Sequence, residues 1–203
     1  MEHKGDKGCD YKSRPPTLDH SKSLNDFKSM GIPIFAPYLG DSCKSMNTGE
    51  FTVKPFDLTT VDGNWTHTDA NGDPCPIYGF LITHKEMGRM LYITDCEVIK
   101  WRFKEIDHIL LGVNYDKEMV DRSNPAKNNH VFRGHLEIGT ACDFVKANYS
   151  DRLQNVIMCH LSEGGADSDS FIGRMKKSAP ATNVNVAKPN KEWILMRGDE
   201  PPF

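Results

Sequence analysis

The chain has 203 residues, with 25 Lys and Arg against 28 Asp and Glu, a formal net charge of −3. That balance excludes the broad basic stripe through which proteins gain non-specific affinity for nucleic acid, so any nucleic-acid role would rest on a local site. With 38% hydrophobic and 26% charged residues, the chain falls in the range of globular proteins and has length for one substantial core.

In chain order, residues 1–16 read as an irregular segment, 17–198 as one domain and 199–203 as a tail. Asp19 offers an N-cap to a helix over 21–30, where Leu24, Phe27 and Met30 recur at helical spacing and Gly31 follows as a stop. Residues 32–36 (IPIFA) read as a short buried strand, and 51–58 (FTVKPFDL) as a half-exposed one. The run 61–76 is rich in Asp, Asn, Gly and Pro and reads as a long loop, a kind of segment that often carries function. Residues 77–84 and 90–95, joined by KEMGR, have the pattern of a β-hairpin, and 108–113 is a further apolar strand. Helices are expected at 115–121 and 136–148; in the second, Leu136, Ala141 or Cys142, Phe144 and Val145 can share one face. A strand at 155–160, a helix at 168–178 and closing strands at 183–187 and 193–196 complete the series. Strands alternate with helices, so the expected class is α/β.

No segment approaches the roughly 20 apolar residues that span a bilayer, and the start, MEHKGDKGCDYKSRPP, is polar and charged. A cytoplasmic protein with no membrane partner is expected. The six cysteines are scattered without a CxxC pair, as suits reduced thiols.

Acids and histidines gather at strand ends and in loops. Asp19-His20 opens a helix, His67 and Asp69 lie in the long loop, Asp95 ends a strand, His135 follows Arg133-Gly134 at a helix start, and His160 ends a strand. Such positions can converge at one edge of an α/β core, and this mixture of imidazoles and carboxylates suits zinc or another borderline metal. Taken singly, each is a common surface or hydrogen-bonded residue. His84, His108 and His130 have no such placement and read as surface residues, and Trp65, Trp101 and Trp193 as packing.

The succession Asp19-His20-Ser21-Lys22, GFLITHKEMGRMLYITDCE, NYDKEMV, RGHLEIGTACDFVKAN and NVIMCHLSEGGADSDSF resembles the metallo-β-lactamase fold, in the branch of YycJ/WalJ-like exonucleases and their phage-borne relatives. The likeness covers residues 17–188 and is strongest from Phe80 onward. It implies an αββα sandwich, here incomplete in its N-terminal half because almost nothing precedes the HxHxDH loop of the family. Asp19-His20 matches the end of that motif, whereas its two earlier histidines fall on Pro15 and Thr17, which do not ligate zinc.

The resemblance further implies that Asp95 is the bridging aspartate, His160 the last histidine ligand and His67 the third. One metal position would then keep only His67 and Asp95, and the other Asp19, His20, Asp95 and His160. One Zn2+ per chain is expected ahead of two, with Mn2+ as the other candidate. Catalytic roles fall to His135, which would protonate or orient a leaving group, and to Asp19; Ser162, Asn114 and Arg133 would contact substrate. The implied activity is hydrolysis of a phosphodiester, in a nucleic-acid end or a small nucleotide, by a homodimer. Loss of two ligand histidines argues for reduced activity, and a catalytically silent binding or assembly module is the alternative.

Overall fold

In the computed structural model the described residues are 46–60, 62–64, 67–68, 74–75, 77–120 and 134–198. The helix expected at 21–30, the strand at 32–36, and Asp19, His20, His130 and Arg133 lie outside them.

Period-two alternation builds the first half of the main sheet. β1 (Met46–Thr48) turns through Gly49 and Glu50 into β2 (Phe51–Leu58), with Thr48 opposite Phe51. Gly49, at φ 60°, supplies the left-handed residue that so tight a connection needs. β1 is an addition to the elements expected from sequence. Its first residue, Met46, lies opposite Val53, so Pro55 sits beyond β1, where among the described residues β2 has a neighbour on one side only. Within the expected long loop, β3 (His67–Thr68) and β4 (Pro74–Cys75) pair as a two-residue ribbon. β5 (Ile77–His84) runs antiparallel to β2 and forms the expected hairpin with β6 (Gly88–Ile93).

The second half is parallel. β7 (His108–Gly112), β8 (Asn155–Cys159) and β9 (Asn183–Val186) extend the sheet in the order β1-β2-β5-β6-β7-β8-β9. Parallel neighbours need crossovers, and α1 (Ile138–Asn148) and α2 (Ser168–Ser178) supply them after β7 and β8. Each helix starts where a carboxylate captures otherwise unpaired amides: Glu137 accepts from the Thr140 N–H, and Asp167 from the Asp169 and Ser170 N–H groups. The α/β class expected from sequence is the observed one.

α1 and α2 touch each other and cover one face of the sheet. Leu91, Ile93, Ile109, Leu111, Val156 and Met158 on the strands pack with Ile138, Val145, Phe171 and Met175 on the helices. Burying such a side chain contributes about 1.5–3 kcal/mol, so this single core positions the strand ends that follow. Among the described residues no helix is long and apolar enough to cross a membrane.

Three local expectations are corrected. Residues 115–121 do not form a helix over their described part: Tyr115 bridges Glu137, the Asp116 N–H donates to the Gly165 carbonyl, and the Asp116 carboxylate accepts from the Glu118 N–H, so tertiary partners and an Asx turn take the backbone groups a helix would use. The segment 193–196 joins no strand pair. After the Ala187 N–H donates to Met158, Pro189 and the left-handed Asn190 (φ 63°) turn the chain off the sheet, and the Arg197 N–H ends on the Glu86 carbonyl. His108 is buried at 1% exposure, not at the surface; its Nε2–H donates to the Met87 carbonyl at 3.0 Å and its Nδ1 accepts from Asn155 at 3.0 Å. Burial pushes its pKa below the ordinary imidazole value, because the charged ring would lose its water. Beside it, the buried Asp107 accepts from the Arg89 N–H and pairs with Arg152 at 3.1 Å.

Candidate metal centre

Because β6, β7 and β8 are parallel neighbours, their carboxyl ends open at one edge of the sheet. Asp95 lies just past β6, Asn114 just past β7, and His160 immediately after β8. His135 arrives from the segment that leads into α1, and the Tyr115–Glu137 bridge ties that segment to the end of β7.

The result is a cluster in which Asp95, His135 and His160 each present one ligating atom within 4.8 Å of the others. The His160 Nδ1 is 3.5 Å from the Asp95 carboxylate, and the His135 and His160 rings lie 5.8 Å apart between centroids. The Asp95 and His160 side chains are 37% and 51% exposed, so water and solutes reach the cluster. Both residues have left-handed backbone, φ 56° at Asp95 and φ 59° at His160. Each such residue with a Cβ carries a cost of order 1–3 kcal/mol, sustained by the surrounding structure and concentrated at functional positions.

Asn114 holds the cluster from below. It is buried at 1% exposure; its amide nitrogen donates to the His160 carbonyl at 2.8 Å and lies 2.6 Å from the His160 Nδ1, while its Oδ1 accepts from the Leu136 N–H at 3.0 Å. Its own backbone binds the Leu136 carbonyl and the Ser162 N–H. Three loops, after β7, before α1 and after β8, are thereby joined through one residue.

Around this centre, Arg174 from α2 reaches Asp116 at 2.7 Å and stands 3.9 Å from Glu137. Cys96 and Cys159 border Asp95; burial, aided by the Asp95 charge, pushes their thiols up to about 12 and about 11. At neutral pH both stay protonated, which makes them poor nucleophiles and poor metal ligands. Burial, with Glu137 and Glu97 nearby, likewise raises the Tyr115 phenol to about 12.

Two imidazoles and one carboxylate form a donor set that suits zinc, and three protein ligands with an accessible further position is the arrangement of catalytic zinc sites. The residues present therefore fit a metal ion. Of the residues singled out from sequence, Asp95, His135 and His160 come together. Ser162 lies in the half-buried turn after His160, and Asn114 faces the protein interior with its polar atoms engaged there. His67 lies in β3, with its side chain outside the described set, as are Asp19, His20 and Arg133. Sequence reasoning placed His135 near substrate and missed that it stands within ligating range of Asp95 and His160. It also missed the joining role of Asn114, for which its position just past an apolar strand was the only signal.

No family profile and no curated protein matches the chain. Among solved structures, the chain is similar to the metallo-beta-lactamase fold protein YhfI from Bacillus subtilis, with a TM-score of 0.48 and 15% identity over 73% of this chain and 50% of that one. The chain thus spans half the length of that protein.

Proposed function

We propose that this protein is a metal-dependent hydrolase of the metallo-β-lactamase kind that acts on phosphodiesters, in a nucleic-acid end or a small nucleotide. The observation that carries the reading is the convergence of Asp95, His135 and His160 at the carboxyl edge of the parallel strands. That the same three residues stand in YITDC, GHLE and CHLS, the segments that resemble the family, supports it independently of the geometry.

Asp95, His135 and His160 would hold one zinc or manganese ion, which when bound supplies a Lewis acid and lowers the pKa of water. Asp95 contributes the negative charge that favours a cation over a neutral ligand. The His135 and His160 rings lie 5.8 Å apart between centroids, close enough for one ion to meet both. Arg174, paired with Asp116 at 2.7 Å, stands 3.9 Å from Glu137, the residue that caps the α1 start after His135.

The test is metal content per chain after purification without chelator or histidine tag, followed by hydrolysis of bis(p-nitrophenyl) phosphate with added zinc or manganese. The expected result is about one metal per chain and turnover, with both lost on replacing Asp95 or His160. A folded protein that takes up no metal overturns the reading. Metal without turnover favours the silent binding module, for which Pro15 and Thr17 at two histidine positions of the resemblance argue. Light scattering tests the homodimer that belongs to the same proposal.

A further inference from the structure

An amide nitrogen and an imidazole nitrogen 2.6 Å apart must be donor and acceptor, and at Asn114 and His160 the roles are determined by the backbone around them. The Asn114 Oδ1 faces the Leu136 N–H at 3.0 Å, which can only donate, and the Asn114 amide nitrogen faces the His160 carbonyl at 2.8 Å, which can only accept. The amide cannot be turned over without opposing two donors and two acceptors. One amide hydrogen therefore goes to the carbonyl and the other to Nδ1, where at 2.6 Å it prevails over the Asp95 carboxylate, an acceptor that stands 3.5 Å from the same nitrogen and would favour the opposite tautomer. A neutral His160 ring with a lone pair on Nδ1 carries its proton on Nε2.

We infer that Asn114 is a positioning residue: it selects the Nε2–H tautomer of His160, orients that ring, and through the Leu136 N–H holds the segment that carries His135 beside it. The left-handed backbone at His160 is part of the same device, because it turns the carbonyl and the ring of one residue toward one amide. For metal uptake there is a direct consequence, which rests on the function proposed above. A cation that binds His160 displaces either the Nε2 proton or the Asn114 hydrogen bond, so loading is coupled to one of the two.

The experiment uses the full chain labelled with 15N-histidine, freed of metal by chelator, at a mildly alkaline pH where imidazoles are neutral. Long-range 1H–15N correlations read which nitrogen of each ring is protonated, and His160→Gln assigns the His160 signals by their loss. In the wild type, Nε2 is expected to be protonated and Nδ1 not. In Asn114→Asp, an isosteric change that keeps an acceptor for Leu136 but removes both donors, His160 is expected to switch to Nδ1–H. Asn114→Ala is expected to leave a mixture. A wild-type ring protonated on Nδ1, or an unchanged tautomer in folded Asn114→Asp, overturns the inference; if that variant does not fold, the wild-type tautomer decides alone. Cobalt titration of the same wild-type sample, followed by visible absorption, separates the two readings. Absence of cobalt binding removes the metal site, while the tautomer still decides the role of Asn114.

Discussion

Replacing Asp95 or His160 by glycine is expected to yield a more stable protein than replacing it by alanine. Both residues sit at positive φ, 56° and 59°, where any side chain with a Cβ crowds the following carbonyl by roughly 1–2 kcal/mol. Glycine escapes that crowding but loses more freedom on folding, so the net advantage over alanine at such a position is about 1 kcal/mol. Side-chain burial does not overturn the sign, since the His160 and Asp95 side chains are 51% and 37% exposed and are removed in both variants alike. The Asn114 bond to the His160 carbonyl survives in either case, because it is made to backbone. For a chain of this size, about 1 kcal/mol corresponds to roughly 2–4 °C in melting temperature. Calorimetry on metal-free Asp95→Gly, Asp95→Ala, His160→Gly and His160→Ala reads this directly, and all four are expected to have lost cobalt binding. Alanine variants as stable as their glycine counterparts, or more so, would refute the reasoning that the site residues are held in strained backbone.

Three further outcomes follow from the packing. Arg152→Ala removes the guanidinium 3.1 Å from the buried Asp107 carboxylate and should cost about 2 kcal/mol in urea denaturation, moderated by the partial exposure of Arg152. Phe171→Ala opens a cavity beneath α2, where Phe171 is 0% exposed, and should cost about 3–5 kcal/mol by the same measurement. For His108, burial lowers the folded-state pKa below the ordinary 6.5, so above that pH both states are neutral and the group contributes nothing to the slope. As pH falls below 6.5 the unfolded chain takes up the proton first and stability is lost. The pH dependence of the urea midpoint should be shallower in His108→Gln than in the wild type.

The helix expected at 168–178 has those bounds as α2, because its signals are local: Asp167 caps its first amides, and Phe171 and Met175 stand one turn apart and are buried. The β5–β6 hairpin was legible for the same reason, its alternation and its Gly88 turn lying within a few residues of each other. Residues 115–121 carried a helical pattern too, but over their described part Glu137 and Gly165, distant in sequence, compete for the backbone groups. His108 looks like any polar residue at a strand start until Met87 and Asn155 are seen to satisfy both its nitrogens.

The candidate site divides along the same line. That Asp95 and His160 end strands, and that His135 precedes a helix, follows from the sequence by itself, as do the α/β class and most of the strands. Their convergence does not, and neither does the burial of Asn114 among them. Antiparallel neighbours are registered by the short turn that joins them, so a local pattern fixes which residues face each other. The parallel strands β6, β7 and β8 have no such turn. Their register, and with it the meeting of one aspartate and two histidines at a common edge, is set by how the helices pack over the sheet.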